Sequence, residues 1–187
     1  MKQTCSVLKY SLAVALLALL ASSCKNHLEL REPKSRKTST TTDFSIELNK
    51  ERNAAEEAYI ESIIAKDSAS FTRSSDGFYY RFVVQDSVAG DRPEFGDRVT
   101  FEYDVRNLEG ETIYSKEELS PVTKSLEQEY GVFRGLREGL KLMQVNDEAI
   151  FYFPSYTAYG FYGDDNRIGL NTPIISRVKL LKIDKTP

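Results

Sequence analysis

The chain has 187 residues, of which 41% are hydrophobic and 28% are charged, and its formal net charge is −3 at pH 7. This length and composition are typical of one globular domain with extensions. Residues 1–23 contain Lys2 and Lys9 but no acidic residue, so the remainder has 23 basic and 28 acidic residues, a net charge of −5. An acidic chain argues against nucleic acid as a partner, because nucleic-acid binding requires basic patches.

Residues 1–23 are predicted to be a secretory signal. Lys2 and Lys9 precede an apolar segment from Ser11 to Ala21. A membrane span needs about 20 apolar residues, so this segment is too short to cross a bilayer. The sequence LLASSC, which ends at Cys24, resembles the lipobox of bacterial lipoproteins, in which the cysteine is lipidated and becomes the N-terminus. The alternative is ordinary signal-peptide cleavage, with Cys24 incidental.

Cys5 and Cys24 are the two cysteines of the chain, and His27 is its single histidine. Removal of the signal would leave one lipidated cysteine, so we expect neither a free thiol nor a disulfide. His27 lies three residues beyond the anchor, which argues against histidine catalysis and a zinc site. We therefore expect no metal and no cofactor.

A helix is predicted between a polar segment and the main domain. Residues 24–42 are polar and are predicted to be a flexible tether. Asp43 is a suitable N-cap for a helix that runs to about Ala65. Residues 43–75 would form this helical extension and residues 76–187 the main domain. An apolar stripe predicts that the helix docks on the domain, with a partner or dimer helix as the alternative. The stripe consists of Leu48, Ala55, Tyr59 and Ile63.

Most of the remaining chain shows the alternation of β-strands around one short helix. The strand-like segments are 78–84, 99–105, 112–119, 148–154 and 174–183. Segment 133–143 has helical periodicity, and its Gly135 and Gly139 would allow another element to approach closely. The inward-facing residues of that helix are predicted to be Leu136, Leu140 and Met143. The pattern predicts an α+β fold, in which a bent antiparallel sheet wraps on a short helix.

Five motifs occur in a characteristic order: GDRVTFEY, LEGETIYS, VFRGLREGLKLM, AYG and VKLLKI. Their order and spacing over about residues 93–183 resemble the FKBP-type peptidyl-prolyl cis-trans isomerases. The resemblance implies an FKBP-like domain with prolyl isomerase activity. IIAKDS, IYSKEELSP, FPSYTAYGFYGDD and IGLNTPII also resemble the FKBP-like lipoprotein associated with gliding motility in Bacteroidetes. That resemblance implies a lipid anchor in the cell envelope, at the periplasmic face of the outer membrane.

The resemblance to the FKBP family also implies which residues form the site. Tyr103, Phe133 and Tyr159 match the family's catalytic pocket, and the main-chain N–H of Phe133 would donate to the substrate carbonyl. The substrate-binding positions that match are Ile113, Tyr114, Val132, Leu136 and Ile168. By strand alternation, Phe151 and Phe153 are predicted to be core. The same segment, residues 151–165, contains three further aromatic residues that could belong either to the core or to the pocket. These are Tyr156, Phe161 and Tyr162.

Several positions depart from the family pattern. Tyr114 replaces a buried carboxylate, Leu136 a tryptophan of the pocket floor, and Ser176 a phenylalanine of the wall. A second wall phenylalanine falls near Val122 or Thr123. Each aromatic residue contributes about 150–250 Å² of buried surface, so we expect weak substrate binding and slow turnover. Four further carboxylates have a spacing that fits neither a catalytic pair nor a cation-binding loop. They are predicted to be exposed charged residues in turns. These are Glu117, Glu118, Asp164 and Asp165.

Two functions from different classes remain open at this point. The first is a lipid-anchored prolyl isomerase that assists folding of proline-containing exported or envelope proteins. Twisting an X-Pro bond needs no nucleophile, metal or general base, which suits a chain without a usable histidine or cysteine. The second is a non-catalytic, FKBP-shaped binding module that docks on envelope partners. The sequence does not determine the oligomeric state.

Overall fold

The computed structural model describes residues 40–85, 90–119, 121–127 and 132–186. The predicted signal peptide, Cys24 and the predicted tether up to residue 39 lie outside the described residues. Within the described ranges, no helix is both long enough and apolar enough to cross a membrane.

Helix α1 spans Thr40–Ile64, so it begins three residues before the predicted N-cap Asp43. Ile60, on one side of this helix, is fully buried. On the same side, the Glu56 carboxylate accepts hydrogen bonds from the main-chain N–H (2.9 Å) and the hydroxyl (2.8 Å) of Ser155. The buried Ile60 and the hydrogen bonds of Glu56 therefore hold α1 on the domain.

The face by which α1 docks is not the predicted apolar stripe. Leu48, Ala55 and Tyr59 are exposed, and Ile63 is half-buried. Docking instead uses acidic residues, because Glu61 accepts a hydrogen bond from the Tyr79 hydroxyl at 2.8 Å. Domain docking as such is confirmed, whereas the predicted docking residues are wrong. The docking carboxylates bind hydroxyl and guanidinium groups that are distant in the sequence. Such contacts produce no apolar periodicity, so the docking face could not be predicted from the sequence pattern.

The described residues form eight β-strands in one antiparallel sheet. The strands are β1 Thr72–Arg73, β2 Tyr79–Val84, β3 Arg98–Tyr103, β4 Val105–Arg106, β5 Thr112–Tyr114, β6 Val122–Ser125, β7 Glu148–Phe153 and β8 Ile174–Asp184. Their order is β1-β2-β7-β8-β3-β6, and β4 joins both β5 and β8. Register shifts occur within three of these strands, at Phe82/Val84, Thr100/Phe101 and Val105/Arg106. Such bulges bend a sheet.

The prediction that segment 112–119 continues as a strand is wrong. Strand β5 ends at Tyr114, and Lys116–Leu119 form a short helix, α2. The Ser115 hydroxyl oxygen accepts a hydrogen bond from the N–H of Glu118 at 3.2 Å. A serine cap on a run of good helix formers favours a helical turn here.

Helix α3, Arg134–Leu140, lies against the inner face of β7. A side-chain carbon added at Gly135 would lie 2.6 Å from the Phe153 ring, and one at Gly139 would lie 2.8 Å from the Phe151 ring. Both glycines are therefore needed for close packing, as predicted. The predicted inward-facing residues of the segment are buried in the core: Leu136, Leu140 and Met143. Phe151 and Phe153 are fully buried, as expected from the strand alternation.

Candidate functional site

Three aromatic side chains meet where α3 begins. Phe133, the N-cap of α3, has an extended backbone with φ −64° and ψ 156°. Its ring centroid lies 5.0 Å from that of Tyr159 and 5.0 Å from that of the buried Phe153. The N–H groups at the start of a helix have no acceptor within the helix. Phe133 therefore offers two groups to a ligand. One is its half-buried aromatic ring, and the other is its main-chain N–H, which is not bonded within the helix.

Tyr103 closes the same region from the end of β3. Its ring packs 5.4 Å from that of Phe101 in the core. Burial raises the pKa of Tyr103, and the neighbouring Tyr114 raises it further. Burial also raises the pKa of Tyr159, and the nearby Tyr103, Asp164 and Tyr114 oppose its ionisation as well. Tyr103, Tyr114 and Tyr159 all pack against the same core, and we call these three side chains the tyrosine cluster.

The substrate-binding residues implied by resemblance belong to the same core or pack against it. Val132, Leu136 and Ile168 are buried members of the core cluster. Ile113 is half-buried and packs on the same core. Leu136 is 1% exposed, so it presents almost no surface to a ligand. The predicted catalytic and substrate-binding residues all lie in the described part of the structure, where each belongs to one core cluster or packs against it.

Tyr114 is not simply a lost carboxylate, because its hydroxyl donates a hydrogen bond to Asp164. Asp164 lies in residues 158–173, the segment between a 3₁₀ helix (Ser155–Thr157) and β8, which we call the flap. The other Asp164 oxygen accepts the N–H groups of Ile168 at 2.7 Å and Asn166 at 3.0 Å. Asp164 is half-buried and bonded, so its prediction as an exposed turn charge is wrong.

The pKa of Asp164 reflects two opposing effects. Burial disfavours the charged form and acts to raise the pKa, whereas hydrogen bonds from Tyr114 and from the N–H of Ile168 favour it. The hydrogen bonds prevail, and the pKa is lowered below 3.8. Asp164 is consequently a charged carboxylate at neutral pH. It lies beside Tyr114, the position at which the family pattern has a carboxylate on the strand itself.

Arg167 provides a second link between the flap and β5. Its guanidinium lies 4.8 Å from the centre of the Tyr114 ring. It also donates to the carbonyl oxygen of Ile113 at 2.9 Å and pairs with Glu118 of α2 at 2.6 Å. Sequence reasoning missed Arg167 entirely. The local signal was an Asx-type turn at Asp164, in which an aspartate binds N–H groups shortly after it, but nothing local indicated its partner 50 residues earlier.

The departure at Ser176 has a structural reason. Ser176 is fully buried in β8, and its hydroxyl donates to the carbonyl oxygen of Asp104 at 2.7 Å. Asp104 separates β3 from β4, and one of its carboxylate oxygens accepts the N–H of Arg177 at 2.9 Å. A serine here satisfies main-chain groups at the bend, and its side chain supplies no aromatic wall to the pocket.

A separate cleft of about 430 Å³ beside β4 and β5 is lined largely by charged residues. Two of its cations are already paired, Lys116 with Glu102 at 2.5 Å and Arg177 with Glu148. In the described ranges, no group of three or more histidine, cysteine, aspartate or glutamate residues could hold a metal ion. The cleft therefore offers no metal centre, and the tyrosine cluster is the candidate functional site.

A bent antiparallel sheet that wraps on one short helix defines an FKBP-like α+β fold. Residues 90–181 match the family model described as FKBP-type peptidyl-prolyl cis-trans isomerase. Residues 90–181 therefore form an FKBP-type peptidyl-prolyl cis-trans isomerase domain, as the sequence motifs implied.

Relatives of known sequence agree with this family. The chain is 38% identical over 137 residues to a probable FKBP-type peptidyl-prolyl cis-trans isomerase FkpA of Neisseria meningitidis serogroup B. The match covers 72% of this chain and 46% of that relative, so the chain spans about half of the relative's length.

Two solved structures share the fold. FkpA from Escherichia coli superposes with a TM-score of 0.60 and 21% identity, and each chain covers 100% of the other. A peptidyl-prolyl cis-trans isomerase from Pseudomonas syringae pv. tomato gives a TM-score of 0.56 at 21% identity, over 71% of this chain and 96% of that one.

Proposed function

We propose that this protein is a peptidyl-prolyl cis-trans isomerase that assists folding of exported or envelope proteins. The observation that carries the proposal is the match of residues 90–181 to the isomerase family, and it is supported by the packing of Tyr103, Phe133 and Tyr159 against one core. The substrate is an X-Pro peptide bond, and the partners are proline-containing client proteins. Neither nucleic acid nor a cofactor takes part.

The pocket suits the physics of prolyl isomerisation. Rotation about the X-Pro bond meets a barrier of about 20 kcal/mol, because amide resonance must be broken. Water stabilises the resonant, polar amide, so an apolar pocket that excludes water removes part of that support. The N–H of Phe133 holds the substrate carbonyl while the bond twists. The hydroxyl of Tyr159 stays protonated, since burial raises its pKa, and remains available as a donor.

An assay on a short X-Pro peptide tests the proposed activity. Tyr103→Ala and Phe133→Ala remove pocket wall and should lower kcat/KM about tenfold, whereas Tyr159→Phe removes one donor and should lower it about threefold. Tyr162→Phe is the matched control for hydroxyl removal, because Tyr162 is 80% exposed. If the parent protein shows no turnover, or if the control loses as much as Tyr159→Phe, the proposed activity or site is wrong.

A non-catalytic binding module is the second candidate. It is favoured by the buried Leu136 and Ser176, which supply no aromatic surface to the pocket where the family has tryptophan and phenylalanine. A module of this kind would bind a proline peptide, detected as a change in tyrosine fluorescence, without accelerating its isomerisation. The peptide assay separates the two candidates, because binding without turnover supports only the module.

We also propose that lipid on Cys24 anchors the protein in the cell envelope, at the periplasmic face of the outer membrane. The support is the apolar segment from Ser11 to Ala21, which runs into LLASSC. Cys24→Ser should release the protein from the membrane fraction into the soluble periplasmic fraction. Mass spectrometry that finds no acyl group on the parent protein would contradict the anchor.

The client proteins are proposed to include components of a gliding-motility machinery. The support is the resemblance of FPSYTAYGFYGDD and neighbouring motifs to the gliding-motility lipoprotein of Bacteroidetes. Deletion of the gene that encodes this protein should then reduce surface motility and lower the level of folded motility components. Unchanged motility together with misfolding of other envelope proteins would assign it a more general set of clients.

A further inference from the structure

The 3₁₀ helix Ser155–Thr157 is held from outside by one side chain of α1. Ser155 is 1% exposed, so its N–H and its hydroxyl have almost no access to water. Both groups donate to the carboxylate of Glu56, the N–H at 2.9 Å and the hydroxyl at 2.8 Å. A buried donor without a partner is costly, so these two bonds restrict where the 3₁₀ helix can lie.

Ser155 is also the residue to which the main chain around Tyr159 is bonded. Its carbonyl oxygen accepts the N–H of Ala158 at 3.0 Å and the N–H of Gly160 at 2.8 Å. Gly160 has a φ of +61°, a left-handed conformation that glycine adopts readily, and this allows the chain to turn sharply after Tyr159. The residues on both sides of Tyr159 are therefore bonded to the one residue that Glu56 holds.

Tyr159 connects this turn to the candidate site. Its ring centroid lies 5.0 Å from that of Phe133. Further along the flap, Asp164 is bonded to Tyr114 of β5. The flap is thus attached to β5 after Tyr159 and, through Ser155, to α1 before Tyr159. A displacement of the 3₁₀ helix would consequently move the Tyr159 ring relative to Phe133.

Another carboxylate of α1 docks the helix on a different part of the domain. Glu61 accepts a hydrogen bond from the Tyr79 hydroxyl at 2.8 Å, and Tyr79 belongs to β2. Glu56 and Glu61 are therefore two docking carboxylates of one helix with different targets. Glu61 binds a strand of the sheet, whereas Glu56 binds the turn that carries Tyr159.

We propose that Glu56 is a positioning residue for the isomerase site, because it holds Ser155 and thereby the turn that sets the place of Tyr159 beside Phe133. This inference rests on the proposed isomerase function. It adds to the site a residue of α1, which lies outside the matched residues 90–181. The helical extension then contributes to turnover as well as to stability.

Substitutions at the two docking carboxylates test this role on an X-Pro tetrapeptide. The protein used is the Cys24→Ser chain, which retains every described residue. Glu56→Ala should lower kcat/KM about threefold, the loss expected when one hydrogen-bond donor is misplaced. Glu56→Gln should keep most of the activity, because its amide oxygen can still accept the N–H of Ser155. Glu61→Ala is the matched control, which should lower the unfolding midpoint and leave kcat/KM unchanged.

Two further measurements separate positioning of Tyr159 from a general loosening of α1. In the Tyr159→Phe background, Glu56→Ala should lower kcat/KM by less than about 1.5-fold, because changes that act through one group do not add. In NMR spectra of protein with isotope-labelled tyrosine, the ring signal of Tyr159 is assigned by its loss in Tyr159→Phe. That signal should shift in Glu56→Ala and keep its position in Glu61→Ala.

The outcomes distinguish the positioning role from the isomerase activity. Equal losses in Glu56→Ala and Glu61→Ala, an equal loss in Glu56→Gln, full additivity with Tyr159→Phe, or an unshifted Tyr159 signal in Glu56→Ala would overturn the proposal. Absence of turnover in the parent would instead refute the isomerase, and the Tyr159 signal would then test the positioning by itself. If Glu56→Ala does not fold, Glu56→Asp draws the carboxylate away from Ser155 by one methylene, and an unshifted Tyr159 signal in that variant would overturn the proposal.

Discussion

The hydroxyl of Tyr114 on β5 and the carboxylate of Asp164 on the flap form a hydrogen bond between residues 50 positions apart. This bond joins β5, at the edge of the sheet, to the flap. The same carboxylate binds the N–H of Ile168, so it also shapes the flap from within. One aspartate therefore stabilises both the turn within the flap and the attachment of the flap to β5.

The Tyr114–Asp164 bond should contribute measurably to stability. Tyr114→Phe and Asp164→Asn each remove one partner of a half-buried, charge-assisted hydrogen bond, and each should lower the free energy of unfolding by about 1 kcal/mol. In the double variant the losses should not add, leaving a coupling energy of about 0.5–1 kcal/mol in urea unfolding. Additive losses would mean that the two groups act independently.

Moving the carboxylate from the flap to the strand should restore much of the site. Tyr114→Asp alone places a second carboxylate beside Asp164, and like charges at this distance destabilise by about 1–2 kcal/mol. Adding Asp164→Asn removes the repulsion and leaves one charge. We expect the double variant to exceed Tyr114→Asp in both unfolding midpoint and kcat/KM at pH 7. If the double variant had the same unfolding midpoint and kcat/KM as Tyr114→Asp, repulsion between the two carboxylates would be excluded as the cause of the loss.

Docking of α1 should depend on Ile60. Ile60→Ala opens a cavity beneath the helix and should lower the free energy of unfolding by about 2–4 kcal/mol. Ile46→Ala is the control on the same helix, where Ile46 is half exposed. A surface change of this kind should alter stability by less than about 0.5 kcal/mol. Chemical denaturation measures both. Similar effects at the two positions would show that helix propensity, and not docking, is responsible.

Residues 76–187 should fold without α1, but with reduced stability. This shorter chain retains β2 to β8 and α3, and it lacks Ile60, Glu56 and β1. We expect a cooperative thermal transition at a clearly lower Tm than that of residues 41–187. A gradual melt with binding of a hydrophobic dye would instead make α1 an integral part of the core.

Activity and flap stability should be insensitive to pH between about 5 and 9. The lowered pKa of Asp164 means that its contribution is complete above the unfolded value of 3.8 and is lost as pH falls through the still lower folded pKa. The raised pKa values of Tyr103 and Tyr159 mean that their contribution is complete below the unfolded value of 10.0 and is lost as pH rises through the folded pKa. An inflection of kcat/KM near neutral pH would point to another titrating group.

Local patterns predicted the central helix and most of the sheet, but they missed β1 and β6 and extended β5 into the residues of α2. Alternation in β7 identified Phe151 and Phe153 as core, and the spacing of Gly135 and Gly139 indicated close packing on α3. These features could be predicted because the period of burial follows from local backbone geometry, about 2.0 residues in a strand and about 3.6 in a helix. Family motifs then indicated the pocket residues.

Contacts between polar groups distant in sequence could not be predicted in this way. Glu56 reaches Ser155 over 99 positions, and Asp164 reaches Tyr114 over 50. A carboxylate in a sequence is equally compatible with water and with a buried donor, since either can satisfy its hydrogen bonds. The amino-acid sequence alone thus determined most of the strands, the core faces of β7 and α3, and the family of residues 90–181. Only the tertiary structure decided which face of α1 docks and where the site obtains its negative charge, because both depend on which polar groups the fold brings within hydrogen-bonding distance.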